Sequence, residues 1–291
     1  MDFAVVGAFV PTEELLPLAV AADELGYDGF CVGDHVVDLE TIATPYPYEA
    51  DGSRRWDPDT PWPDPWVLIG AMAAVTTRLS FFTSIYVAAL RSPFQVAKSV
   101  GTAAVLSGGR VRLGVGVGWC REEFELLGQE FESRGRRTDE ALALLERLWT
   151  EDWVSADGPH YPAPRLTMRP RPAQRVPILV GGLSDVALRR AARHDGWIGD
   201  VSSTDEAIAV AARLRELRGG RPASVVAALN DALLPEDFAR AEAGGVTDVM
   251  TQPWMYYSGR RATLAQKIEG LARFRDDVLV PLDTAREHTH A

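Results

Sequence analysis

The chain has 291 residues, 46% hydrophobic and 24% charged, which is apolar material for one large core and excludes a fibrous or disordered chain. Thirty basic against 41 acidic side chains leave a formal net charge of -11, and no run of Lys or Arg forms a stripe that would neutralise phosphates, so nucleic acid is excluded as an expected partner. No apolar run is long enough to cross a bilayer, Phe3 to Val10 lacks the basic leader and cleavage site of a signal peptide, and the two cysteines, Cys31 and Cys120, suit a reducing cytosol.

Taken in order, Phe3 to Phe9 reads as a strand, and Thr12 opens a helix that carries Leu15, Ala19 and Ala22 on one face and ends at Gly26. Gly29 to Val32 is a second strand whose tip carries Gly33, Asp34 and His35. Val36 to Trp66 is a long irregular stretch with six prolines and the aromatics Tyr46, Tyr48, Trp56, Trp62 and Trp66. So long a connection is functional or disordered, and its aromatics argue against disorder. These rings can form a pocket wall or pack the loop onto the body. A helix over 65–77, a strand over 79–85 and a helix over 93–106 follow.

Val111, Leu113, Val115 and Val117 then alternate with Gly114, Gly116 and Gly118. The period of two marks a strand with one bare face. Either a flat ligand lies there or a neighbouring element packs closely. Beyond it come a short helix over 122–127 and a long one over 138–149, with Ala141, Leu144, Leu145 and Leu148 as its core-facing stripe. A proline-rich connection spans 151–176. Ile178 to Val180 is a fifth strand ending in Gly181-Gly182, with Ser184 and Asp185 starting a helix. Strands at 197–201, 223–229 and 247–251 alternate with helices that run from the Ser203–Glu206 capping box to Leu217, over 235–243 and over 263–279. Eight strand-helix units in strict alternation predict a closed (β/α)8 TIM barrel, one domain over 1–291, with the aromatic and proline-rich insertion after strand 2.

In such a barrel the site lies at the C-terminal strand ends. The residues there are Asp34 and His35, Thr83 and Ser84, Gly116 to Trp119, Gly181 to Ser184, Asp200 to Ser203, and Gln252 to Trp254. No HExxH, paired cysteines or GxSxG elbow appears, so neither a metal centre nor a hydrolase triad is expected. GVGVG does not fit the dinucleotide fingerprint GxGxxG. Gly181-Gly182 before a Ser-capped helix is a phosphate cradle or a tight turn. His35, with Asp34 beside it, is the best acid-base candidate, its rival role being to cap the following loop.

GDH at 33–35, the PYPY and PWPDPW loop, TSI at 83–85, LSGGR at 106–110, GVGVGWCREEFELLG with FESRGRRTDE, and VGGLSDVALRRAARHDGW at 180–197 together resemble the luciferase-like monooxygenase superfamily. The chain is most similar to its coenzyme F420-dependent oxidoreductase branch, from Phe3 to about Leu279. The resemblance implies hydride transfer between a deazaflavin and a small, apolar or aromatic substrate, with FMN-dependent monooxygenation as one alternative and a non-catalytic flavin-binding protein as another. It implies a homodimer, a cis Ser84–Ile85 peptide, and a cofactor held by Thr83, Ser84, Ile85, Gly116, Gly118 and Trp119. The phosphate would lie near Gly181, Gly182 and Leu183 and near Ser202 and Ser203. His35 would handle the proton and Asp34 would orient it. Relatives that oxidise sugar phosphates or alcohols carry a glutamate just after the glycine-rich strand. Here Trp119 stands instead, and Glu122 or Glu123 replaces that acid only if the turn brings one back.

Overall fold

The computed structural model describes residues 1–290. Its strands are β1 (Asp2–Val6), β2 (Gly29–Val32), β3 (Ser80–Thr83), β4 (Tyr86–Val87), β5 (Val111–Gly116), β6 (Val154–Ala156), β7 (Ala163–Leu166), β8 (Ile178–Gly181), β9 (Gly196–Ser202), β10 (Ser224–Leu229) and β11 (Asp248–Thr251). Its helices are α1 (Thr12–Leu25), α2 (Pro65–Val75), α3 (Pro93–Leu106), α4 (Arg121–Leu126), α5 (Arg134–Thr150), α6 (Asp185–Ala191), α7 (Thr204–Leu217), α8 (Pro235–Ala243), α9 (Trp254–Tyr257), α10 (Leu264–Phe274) and α11 (Val280–His290).

One sheet runs β3-β2-β1-β11-β10-β9-β8-β5-β4, and a β3–β5 pairing closes it. Its ladders are all parallel. Since β4 only continues the β3 position past a break, this is the expected eight-stranded (β/α)8 barrel. The break holds the expected cis peptide between Ser84 and Ile85.

Inside the barrel one side chain from each of seven strands forms a packed layer: Ala4, Cys31, Phe82, Leu179, Ile198, Val226 and Met250. The eighth strand contributes Gly114, in register with Leu179. Toward the N-terminal strand ends Arg112 pairs with Asp248 at 2.6 Å and lies over the Phe82 ring, closing the bottom of the barrel. The α5 stripe is buried as its spacing predicts.

Four boundaries differ from the sequence reading. β1 stops at Val6, and Phe9 takes a left-handed φ of 64°, which ends the extended run. α5 begins a turn early, at Arg134. The 151–176 connection contains the antiparallel β6–β7 hairpin, too short and polar to register as strands. The last helix does not stop at Leu279: α10 passes through one π turn over Arg275–Leu279 into α11.

Candidate active site at the barrel mouth

A cavity of about 1250 Å³ opens at the C-terminal ends of the strands. Of the residues singled out in the sequence, Asp34, His35, Ser84, Ile85, Gly116, Gly118, Trp119, Gly181, Gly182 and Leu183 border it. Thr83, Ser202 and Ser203 do not. Thr83 is buried and donates its hydroxyl to Gly114 O at 2.6 Å. Ser203 is committed to the capping box of α7 with Glu206, and the Ser202 hydroxyl is buried without a partner.

Asp34 lies two residues past the end of β2, and its carboxylate is fully enclosed. Arg91 grips it with two bonds, Nη2 to Oδ1 at 2.7 Å and Nη1 to Oδ2 at 2.8 Å, and Val87 N donates at 2.9 Å. Burial raises this carboxyl above the usual aspartate range, while Arg91 and the Val87 N–H pull it down. Asp34 therefore does not orient His35. Its carboxylate is taken up by Arg91 and the Val87 N–H while His35 turns to a different acid, so Asp34 serves the scaffold.

The partner of His35 comes from 88 residues away: Nδ1 lies 3.2 Å from Oε2 of Glu123. Glu123 sits in the first turn of α4 and is 2% exposed. Its other oxygen accepts Val36 N at 2.6 Å. The turn after β5 thus brings Glu123 to His35 but not to the cavity, which it does not border. The His35 ring is enclosed by Trp62, Trp56 and Trp119, with centroids at 5.0, 5.2 and 6.2 Å. Tyr46 extends this wall against Trp119 and Trp56 at 5.2 and 5.3 Å.

The insertion that supplies three of these rings is tied down at both ends of the mouth. Glu122 Oε1 accepts Ala43 N at 2.7 Å and Thr44 N at 2.9 Å. Partial burial raises the Glu122 carboxyl, but the N–H groups of Glu122 itself, Thr44 and Ala43 outweigh this and hold it down at about 2. Across the mouth Arg55 Nη1 donates to both oxygens of Asp200, at 3.0 and 2.9 Å, and Arg55 also pairs with Glu49. Gly33 leaves room for Trp62, whose ring a Cβ there would meet at 2.4 Å.

Of the two explanations offered for the β5 glycines, the structure shows close packing by a neighbouring element. A Cβ at Gly114 would meet Thr83 O at 1.9 Å, and one at Gly116 would meet Ile85 Cδ1 at 1.9 Å. The bare face of β5 is filled by the β3–β4 break, and Ile85 becomes the side chain presented to the cavity there. At the other side Gly182 has φ 106°, and Ser184 caps α6 by accepting Ala187 N at 3.2 Å. Arg134 and Arg190 stand on the same wall. Arg190 is forked on Asp139 at 2.7 and 2.9 Å, and Arg134 donates to Gly118 O at 3.0 Å.

An apolar side chain at Ile85, a glycine turn and the Arg134 guanidinium fit a planar heterocycle with a phosphorylated chain, the form common to FMN and a deazaflavin, while Arg190 is neutralised by Asp139. Sequence reasoning missed Arg91, Arg134, Arg190 and the Arg55–Asp200 pair. Charged residues in helices and loops carry no sign of where they will point. Only Glu122 and Glu123, in an acidic helix start soon after β5, left a signal.

A sequence profile described as luciferase-like monooxygenase matches residues 5–244. An uncharacterised protein of Mycobacterium tuberculosis (strain ATCC 25618 / H37Rv) is 38% identical over 285 residues, 96% of this chain and 99% of that one. An F420-dependent glucose-6-phosphate dehydrogenase of Nakamurella multipartita is 34% identical over 189 residues, 64% of this chain and 51% of that protein. Among solved structures, a monooxygenase from Streptomyces bottropensis superposes with a TM-score of 0.74 at 20% identity, covering 96% of this chain and 99% of that one.

Proposed function

The chain belongs to the luciferase-like monooxygenase family, and we propose that it is an oxidoreductase that moves a hydride between coenzyme F420 and a small, apolar or aromatic substrate. The F420-dependent dehydrogenase similar to it supports the choice of cofactor. The observation that carries the reading is His35, held in an aromatic wall at the mouth with one nitrogen engaged by buried Glu123. A proton-handling group anchored that firmly beside an apolar recess suits a reaction that moves a proton along with a hydride.

When bound, the deazaflavin supplies the carbon that gives or takes the hydride. Ile85 and Ser84 would support its ring, and the Gly181–Ser184 turn with Arg134 would hold its phosphate. His35 exchanges the proton with the substrate, and the 36–64 insertion covers both and limits water. The same supports would serve FMN, which makes oxygen chemistry the rival reading.

Replacing His35 by Ala tests the assignment. Hydride transfer followed by deazaflavin absorbance, over a panel of alcohols, carbonyls and activated alkenes, is expected to fall by about 10²- to 10⁴-fold. F420 affinity should stay nearly unchanged. Unaltered transfer rates would remove His35 from the chemistry and favour a protein that binds its cofactor without turnover.

A further inference from the structure

Resting on that functional reading, we propose that Glu123 is the positioning residue of the site, fixing His35 in the Nδ1–H tautomer so that Nε2 is the nitrogen that exchanges a proton with the substrate. Three observations converge. Asp34, the obvious neighbour, has both oxygens committed to Arg91 and Val87 N. Glu123 reaches Nδ1 at 3.2 Å from a nearly dry position. The three tryptophan rings around His35 restrict the imidazole to the plane that this contact needs.

An ionised carboxylate can only accept a hydrogen bond, so the Nδ1 it faces must carry the proton, and neutral His35 presents a bare Nε2 to the cavity. Taking a proton there makes an imidazolium that Glu123 stabilises. Giving it back restores the neutral ring, so one dyad serves either direction of hydride transfer. The other charged groups around it are spoken for: Asp34 by Arg91, Asp38 by Arg54 and by Trp56 Nε1, and Glu122 by the insertion backbone. Glu123 also accepts Val36 N, so it sets the ring and the start of the insertion together. Glu123 does not border the cavity that Trp119 lines, so its carboxylate acts through the histidine and not on the substrate.

The test is Glu123→Gln. A glutamine keeps an oxygen for Val36 N but turns an NH2 toward Nδ1, which must then accept, and the proton moves to Nε2. Nitrogen NMR of ¹⁵N-histidine protein, with the His35 signals identified by their loss in H35A, reads the tautomer without cofactor or substrate. The expected result is Nδ1–H in the wild type and Nε2–H in E123Q. F420 affinity should hold within a fewfold, while hydride transfer falls on the order of 10²-fold. Glu123→Asp, which keeps an acceptor-only group, should restore Nδ1–H and part of the rate, and it serves alone if E123Q does not fold. Nε2–H in the wild type, or Nδ1–H in E123Q, overturns the proposal. If neither wild type nor variant binds F420 while the tautomer still switches, the cofactor reading fails and the dyad stands.

Discussion

Asp34 and Arg91 illustrate how a buried charge is tolerated at the edge of an active site. The carboxylate is dry, and its oxygens are held by a guanidinium fork and a backbone N–H. Removing the guanidinium leaves an unpaired buried charge, at a cost of about 3–5 kcal/mol. Arg91→Ala should therefore lower stability by that order at neutral pH. Its sign with pH follows from Asp34, whose carboxyl burial already raises. Without Arg91 it rises further, so the folded protein takes up a proton that the unfolded chain releases. The deficit should shrink as pH falls from neutral toward the ordinary aspartate range. Denaturant titrations of both proteins at a series of pH values check this; a deficit that grows on acidification would contradict it.

Gly116 is a second residue with a defined steric role, since a Cβ there meets Ile85 Cδ1. The far end of an isoleucine can shift, so Gly116→Ala should fold with a loss of about 1–3 kcal/mol while pushing Ile85 into the cavity. Cofactor affinity should drop by more than the loss of stability accounts for. At Gly114 the obstacle is the Thr83 carbonyl, which cannot yield. The sequence showed that this face was bare but not what filled it. The filler is a backbone break 30 residues upstream, and periodicity within one strand holds no information about its neighbour.

The 36–64 insertion works as one element because its polar anchors lie at opposite sides of the mouth. Arg55 Nη1 bridges both oxygens of Asp200 in β9, and Glu122 holds Ala43 and Thr44. Cutting the first anchor with Arg55→Ala should raise the substrate KM severalfold, speed limited proteolysis within 38–60 and leave cofactor affinity nearly intact. An unchanged cleavage rate would show that the aromatic contacts hold the loop alone. The Glu122 anchor has a pH sign of its own. Its folded carboxyl is held down at about 2, so its contribution is full above the ordinary glutamate range and is lost as pH falls toward about 2. The composition of the insertion correctly suggested an ordered cover lined with rings. Its anchors were not legible, because Arg55 and Glu122 look like any exposed charges until the fold places their partners.

For the whole molecule, the strand order was readable because each barrel strand is a short apolar run bounded by a glycine, proline or cap, and the eight runs alternate with amphipathic helices. That rhythm is a property of the local sequence. The site depends on contacts between units: Asp34 with Arg91 across 57 residues, and His35 with Glu123 across 88. The sequence placed His35 at the mouth and named Asp34 as the residue that orients it, with Glu123 considered only as a substitute for the acid missing at Trp119, whereas the structure pairs the ring with Glu123. Only the closed barrel decides between them. The C-terminal extension α11 was missed for a related reason. Its residues continue a helix through a π turn, where the apolar period breaks.

The proposed function requires this mouth to bind a deazaflavin for hydride transfer. Equilibrium titration of the purified protein with F420 and separately with FMN, followed by absorbance and fluorescence, tests it most directly. F420 is expected to bind at least about tenfold more tightly than FMN and to be reduced or oxidised in the presence of a suitable substrate without consuming oxygen. Tight FMN binding with negligible F420 binding, together with oxygen consumption on turnover, would contradict it.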